Sequence, residues 1–571
     1  MSRRVAVVSL HDSGMQTIYN YQRYILEQIF SVAEYVYILG DVTIPSNLFH
    51  KDRYTLLPAN GYDVDDLKYI ILNFHKEICK YDELIFSNDS YIGPLCDLKF
   101  IFSEMEENCF WGITDSKFTT INLRKIEEHR FLQRYFMVIK TEIVLQDYFF
   151  SFFSRLPEFR LYKETETEFE YCFSDYLERY GIKYNVYIDV SMLEPDKKEY
   201  HLNHLIHESA YLLKTKRIPM VLIESFKVDK AESLVFSFGN NAAETINYLE
   251  RTTNYPLEYL YEVLIKECNV YDIQNNLCLN VQMTNDIKFV DFTKKTAIII
   301  YLYYEDLFEE KVAFINQLES EKCHIILVTD EKRKKRELRR KVHNVEIRVS
   351  MGKGREWEAL LVGCHDVLEK YELICFLHDK KSDYLAYKSL GREFESMLWK
   401  NMAYDKVYVE NIIDYFNRNN LVGLIIPPVA NHGIYFDNYS NYWTVCYEKT
   451  VQFMKEQKMR TSLLDRSKPP ISLGSVFWAK TDILLKIDVK KLCFDDEIDI
   501  DGSINHVLER VIPYVAQEAG YLTVSAYCDE YMKYMFTANT YMLRELWSRA
   551  RKNNENRGIT FKDYIEGECG K

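Results

Sequence analysis

Glycine and proline are scarce in this 571-residue chain, at 19 and 12 residues. That argues against collagen-like repeats and Gly/Pro-rich disorder. The 13 cysteines include no Cys-x-x-Cys pair and no metal-ligand spacing, so no zinc module or disulfide framework is written in them. They read as reduced, mostly buried thiols of a reducing compartment. Positive charge is also short: 72 Lys and Arg against 86 Asp and Glu give a formal net charge of −14. Nucleic-acid binding draws on clustered cationic side chains that displace counterions, so no nucleic-acid partner is expected. No apolar run approaches the length needed to span a bilayer; the longest lies near Ala297–Tyr303. The N-terminal apolar stretch Val5–Leu10 is too short for a signal peptide and reads as a first strand. The expectation is a cytoplasmic, soluble chain or one that touches a membrane only from the side. P-loop, GxSxG and HExxH motifs are absent.

Aromatic residues, by contrast, are plentiful, with 45 Tyr and 33 Phe. They suit sugar rings, whose C–H faces are apolar; AT-rich codon usage yields the same excess. The length predicts two or three domains. Two stretches read as the same order of strands and helices. In the first, strand Arg4–Leu10 is followed by a helix over Gln16–Ala33 and strands at Tyr35–Gly40 and Tyr54–Leu57. In the second, strand Thr296–Tyr304 is followed by helix Phe308–Leu318 and strands at His324–Thr329 and Val345–Val349. This alternation predicts an α/β fold with mainly parallel, helix-covered sheets. Leu67–Asp89 then aligns with Trp357–Asp379 at a constant shift, pairing His75 with His365, Tyr81 with Tyr371, Phe86 with Phe376 and Asp89 with Asp379. Three further matches follow in order: Phe110–Thr114 with Leu421–Ile425, Lys140–Leu145 with Lys480–Leu485, and Leu177–Arg179 with Leu508–Arg510. The pattern predicts an internal duplication. The expected boundaries are a first copy over 1–195, a partly helical connector over 196–290, a second copy over 291–535, and a C-terminal helix and tail over 536–571. Helical pieces of the connector are clearest at His204–Lys214 and Ala242–Leu249.

Ligands of open α/β sheets bind at the carboxyl ends of strands. Asp89, after Asn88, and Asp379, after His378, stand there. Such a carboxylate holds a divalent cation (Mg or Mn) on a diphosphate, bonds a ribose, or caps a helix or turn. Lys380 and Lys381 follow Asp379 and can neutralise a leaving diphosphate; a solvated loop is the plainer reading. Gly61, before Asp63, and Gly354, before Arg355, each lie between a strand and a helix, where backbone N–H groups face an anion or simply form a turn. Inverting sugar transfer needs one carboxylate base. Asp501 is the candidate in the second copy, with a helix N-cap as the alternative, and Glu170, near Glu168, is its equivalent in the first. The basic run Lys332–Lys341 either meets anionic lipid headgroups or forms a solvated helix face.

Several of these segments together resemble the rhamnan synthesis protein F family. In the first half they are Asn60–Asp63, Tyr81–Pro94 and Phe110–Thr114. In the second half they are Leu377–Ser382, Gly474–Lys480 and Asp501–Arg510. The likeness runs from about residue 4 to 530. It implies two tandem GT-A-like nucleotide-sugar domains and a rhamnosyltransferase using dTDP-L-rhamnose. The implied acceptor is a growing lipid-linked cell-wall or surface polysaccharide, reached by peripheral contact with the cytoplasmic membrane leaflet. One segment departs from the family pattern: where its second copy carries Asn-x-Gly-Arg-Asp, this chain has Lys353-Gly354-Arg355-Glu356. That departure suits a competing reading in which one copy only binds glycan or a partner. A transferase for another nucleotide sugar is a third.

Overall fold

The computed structural model describes residues 2–11, 17–45, 48–122, 125–159, 169–190, 203–284, 294–318, 323–343, 345–352, 355–381, 387–439, 443–494 and 502–553, with backbone alone at 117–122, 125–129, 236, 437–439 and 553. The chain divides into two compact units, Met1–Val263 and Leu264–Lys571. The division falls within 196–290, the stretch expected as a connector.

The strands of the first unit are β1 (Arg4–Ser9), β2 (Tyr35–Leu39), β3 (Tyr54–Leu57), β4 (Glu83–Asn88), β5 (Tyr91–Ile92), β6 (Phe110–Asn122), β7 (Lys125–Leu132), β8 (Phe136–Lys140), β9 (Asn185–Ile188) and β10 (Val221–Leu222). Its main sheet runs β3-β2-β1-β4-β8-β6-β7, with β9 also on β6; β5 and β10 pair separately. The first four strands of that order are parallel, β8 is antiparallel to both neighbours, and β9 is parallel to β6.

The second unit holds β11 (Asn280–Met283), β12 (Thr296–Tyr301), β13 (Cys323–Thr329), β14 (Glu346–Val349), β15 (Leu373–His378), β16 (Val422–Ile426), β17 (Phe477–Lys480) and β18 (Leu522–Cys528). Read from β14, its sheet runs β14-β13-β12-β15-β17-β16-β18-β11. β17 is the antiparallel insert, and β18 is parallel to β16. The two sheets therefore share one strand permutation, and they differ at one edge, where the first has the β6–β7 hairpin and the second has β11. The aligned segments also match element for element. Helices Asp63–Asn73 and His75–Ile78 lead into β4, and helices Arg355–Leu361 and His365–Lys370 lead into β15.

The central strands β4, β12 and β15 are buried at every position and mostly apolar, because both sheet faces are covered. Along β12, Ile298 and Ile300 pack with Leu398, Met402, Ile412 and Phe416 on one face. Ala297 and Ile299 pack with Trp357, Leu360 and Val511 on the other. In the first unit, Val5, Val7, Leu84 and Phe86 bury against Leu67, Ile70, Ile71 and Phe153.

The helix expected over His204–Lys214 is broken at Glu208 into His204–His207 and Ser209–Lys216. Asn241 explains the break: its side chain donates to the Ile206 carbonyl at 3.0 Å and accepts the Ala210 N–H at 3.0 Å. A side chain inserted between these groups takes the place of a backbone bond, one of the ordinary causes of a helix interruption.

Candidate functional site

The two central strands that lead to the aligned acids, β4 and β15, end at the carboxyl edge of their sheets beside β1 and β12. The residue after each is the aspartate. Asp89 accepts the His11 N–H at 2.9 Å, and Asp379 accepts the Tyr303 N–H at 2.9 Å and the Tyr304 N–H at 2.8 Å. His11 and Tyr303 occupy the same place, two residues beyond the ends of β1 and β12. Each aspartate thus clips the loop that leaves the neighbouring parallel strand, β1 or β12. Neither caps a helix through these bonds.

The two clips differ in their side chains. Asp89 Oδ1 lies 2.5 Å from His11 Nδ1. Its Oδ2 accepts Gln22 Nε2 at 2.6 Å and the Tyr21 hydroxyl at 3.3 Å, besides the His11 N–H. Three contacts thus gather on Oδ2 and one on Oδ1. Burial alone would raise the Asp89 carboxyl; the charge and bonds of His11 and the bond from Gln22 outweigh it and hold the carboxyl below its ordinary value. Asp379 is held by backbone N–H groups. Burial pushes its carboxyl up to about 6, against the pull of the Tyr303 and Tyr304 N–H groups and of His378, with Glu395 pushing the same way as burial.

A testable consequence follows for stability. In the unfolded chain the Asp379 carboxyl loses its proton near its ordinary 3.8 and in the folded chain near 6. Between these values the folded state holds the extra proton, so stability falls as pH rises and levels off above about 6. Asp379→Asn is expected to remove this step, on the order of 3 kcal/mol. Urea unfolding of both forms at pH 4 and pH 7 checks it: an unchanged pH difference between them contradicts the assignment.

The remaining first-unit candidates converge on a residue that sequence reasoning missed. Arg134 sits between β7 and β8, its side chain only 4% exposed. Its Nε donates to Asp63 Oδ2 at 3.0 Å, its guanidinium to Glu170 Oε2 at 2.9 Å, and its backbone N–H to Glu170 Oε1 at 3.0 Å. Asn88 Nδ2 donates to Asp63 Oδ2 at 2.7 Å. Asp63, Asn88 and Glu170 are therefore one buried network around Arg134. Glu170, expected as a base, is an ion-paired anchor in this state. Gly61 adopts φ +134°, where a Cβ would stand 2.7 Å from the Asp65 carboxylate that accepts the Tyr62 N–H. The Asn60–Asp63 turn is shaped by this acid, which starts the next helix.

In the second unit, Lys380 donates its backbone N–H to Glu395 at 2.9 Å and places its ammonium 4.8 Å from the Phe394 ring. Lys381 pairs with Asp306 at 2.5 Å. His378 bonds the Gly474 carbonyl through Nε2 at 2.8 Å. Arg355 opens its helix in the left-handed region at φ +52°. Gly354 and Asp501 lie outside the described residues. The helix beyond Asp501 is capped at Ser503, so the N-cap is not Asp501. Glu170, by contrast, already has helical backbone angles, so the alignment of Glu170 with Asp501 does not carry over to the helix starts.

Among the described residues no group of three His, Cys, Asp or Glu side chains is placed to hold a metal ion. No step below is routed through a cation. Arg134 escaped notice because its counterpart across the β8–β17 match is Gly474, so the duplication does not mark it. His11 likewise faces Tyr303. The one available signal was the position of His11 just past an apolar first strand.

No curated protein matches the chain. Among solved structures, the glycosyltransferase GlyE of Streptococcus pneumoniae TIGR4 is similar at 11% identity, over 67% of this chain and 88% of that one, with a TM-score of 0.22. Its apo form gives 11% identity over 67% and 87%, with a TM-score of 0.19. The rhamnan synthesis protein F family model matches residues 52–521, most of the chain. The chain thus belongs to the rhamnan synthesis protein F family.

Proposed function

We propose that the chain transfers L-rhamnose from dTDP-L-rhamnose to a growing lipid-linked cell-wall or surface polysaccharide, with inversion at the anomeric carbon. The observation that carries this reading is the repeated clip: in both units a buried aspartate at the end of a central strand fixes the loop leaving the strand beside it, β1 or β12. That edge is where nucleotides bind in open α/β sheets. The shared strand order, with one antiparallel insert, supports two GT-A-like domains near 1–195 and 291–535. In the second unit Asp501 takes the acceptor proton, while Asp379, Lys380, Lys381 and the Gly354–Arg355 turn hold the donor. The diphosphate leaves with the bonding electron pair, and the lysines offset its charge. In the first unit Gly61, Asp63, Asn88 and Asp89 shape the corresponding donor edge.

Calorimetry is expected to give tighter binding of dTDP-L-rhamnose than of UDP-glucose or GDP-mannose. Equal or absent binding of the dTDP sugar contradicts the donor assignment.

No helix among the described residues is long and apolar enough to cross a membrane. A lipid-linked acceptor therefore requires contact from the side, at the cytoplasmic leaflet. The helix Lys332–Lys341 supports this: Leu338 and Lys334 are buried, and Lys332, Arg336 and Arg340 form an exposed stripe four residues apart. Arg333 pairs with Glu305 and Lys341 with Glu309, which reduces the charge available. The helix Asp529–Asn553 adds exposed Leu543 and Leu546 beside Arg544 and Arg549. Each basic side chain at an anionic surface contributes about 1 kcal/mol. The chain is expected to float with anionic liposomes at low salt and to detach at high salt; no flotation at low salt contradicts the contact.

A further inference from the structure

We infer that Glu395, paired with Lys311, is the positioning residue of the second-unit donor edge: it sets the place of Lys380, one of the cations read above as holding the diphosphate. This rests on that reading. Glu395 lies on helix Lys388–Ala403, outside the loop it holds. Its Oε1 accepts the Lys380 N–H at 2.9 Å. Its Oε2 lies 3.0 Å from Nζ of Lys311, on helix Phe308–Gln317. Both side chains are buried, Lys311 at 6% exposure and Glu395 at 8%. One turn further along the same helix, Trp399 donates its Nε1 to the His378 carbonyl at 2.8 Å. The helix therefore grips the chain on both sides of Asp379. Phe394, next to Glu395, lies against the Lys380 ammonium, with its ring centre 4.8 Å away. One helix thus holds Lys380 at its backbone and at its charge, and the side chain stays partly open to solvent just beyond the carboxyl end of β15.

The first unit shows that securing this N–H does not require such an arrangement. Ser90 follows Asp89 as Lys380 follows Asp379. The Ser90 N–H is bonded by Asn88 Oδ1, two positions back, at 3.1 Å. In the second unit His378 takes the place of Asn88, and its ring nitrogens lie against the Gly474 and Asp379 carbonyls. The acceptor for Lys380 comes instead from a distant helix, and it is charged. It brings a second buried charge with it, Lys311, whose ammonium lies 4.7 Å from the centre of the Trp399 ring. The cost of taking two charges out of water offsets much of their attraction, so such a pair is a poor source of stability and better suited to fixing geometry. What it fixes is a residue whose ammonium rests on an aromatic face, which holds a cation without neutralising it. Lys381, beside it, is paired with Asp306 instead.

The test compares two neutralised pairs in the full chain, so that no charge is stranded in the interior. Lys311→Met with Glu395→Gln removes both charges and keeps an oxygen for the Lys380 N–H. Lys311→Met with Glu395→Leu removes the charges and the oxygen. Turnover of the second unit is read as the part that Asp501→Asn abolishes in each background. The conservative Gln form is expected to hold the donor KM within about threefold of the unsubstituted chain. The Leu form is expected to raise it about tenfold with kcat changed less than about threefold, the pattern of lost binding rather than lost chemistry. Adding Lys380→Met to each should erase the difference between them, because a residue that acts through Lys380 then has nothing left to act on. A contact that only holds the fold together would leave that difference in place. If the Leu form does not fold, Glu395→Asp takes its part: it keeps the charge for Lys311 but withdraws the oxygen by one methylene, and the donor KM should again rise only while Lys380 is present. Equal donor KM in the oxygen-bearing and oxygen-withdrawn forms, or a difference that persists with Lys380→Met, overturns the inference and leaves the transferase reading standing. A chain inert toward every nucleotide sugar, or one whose turnover Asp501→Asn leaves untouched, overturns both this inference and the second-unit reading beneath it.

Discussion

Asp501→Asn is expected to lower transfer by the second unit at least about 100-fold while the melting temperature stays near that of the unsubstituted chain. An acceptor hydroxyl is a poor nucleophile until a positioned base takes its proton, and an amide cannot take it. Asparagine keeps the size of the side chain and most of its hydrogen bonding. The helix that follows, Ile504–Glu518, is capped at Ser503, whose hydroxyl lies 3.0 Å from His506 Nδ1. Ser503 is the N-cap residue of that helix, two positions after Asp501. Gly502, at φ +95° and with its carbonyl bonded by Lys449, fixes the turn next to it. Kinetics and thermal melting of the two forms check the prediction. Full turnover in Asp501→Asn removes the residue from the chemistry; a large fall in melting temperature would mark it as structural.

Arg134→Met is expected to destabilise the first unit by about 3–5 kcal/mol, because it strands two carboxylates that have already left water. Asp63 is 1% exposed and Glu170 11% exposed at the side chain, and both are ion-paired to this one guanidinium. Methionine keeps much of the packing volume, so the loss reports charge rather than a cavity. Adding Asp63→Asn removes one of the stranded charges and should recover part of the loss, the non-additivity expected of groups in one network. Urea unfolding of the single and double variants measures it. A single-variant cost below about 1 kcal/mol would mean that the network is no more than a surface ion pair in effect.

The duplication was legible because it is written in apolar spacing, which burial enforces on both copies. Leu67, Ile70 and Ile71 and their partners Trp357, Leu360 and Leu361 all face cores, so their pattern survived. Tyr54–Leu57 was read to the residue, and β1, β2, β12 and β13 to within three residues at either end. Asp89 and Asp379 were found because the strand before each is buried and ends abruptly. What each carboxylate does was not legible, since its partners lie in another loop: His11 stands 78 positions away in sequence from Asp89. Arg134 was invisible for a related reason. Its counterpart in the second unit is a glycine, Gly474, and an arginine after a hairpin strand reads as surface until two acids from different elements are folded onto it. The break at Glu208 depends on Asn241, a contact between helices that periodicity does not encode.

The most direct test of the central claim is transfer itself. The full chain, incubated with a lipid-linked oligosaccharide acceptor and, in separate reactions, dTDP-L-rhamnose, UDP-glucose and GDP-mannose, is analysed by mass spectrometry and by NMR of the new anomeric bond. The account predicts addition of a deoxyhexose from dTDP-L-rhamnose with inverted configuration, and little or no product from the other two donors. Transfer of a hexose from UDP-glucose or GDP-mannose with none from dTDP-L-rhamnose would contradict it.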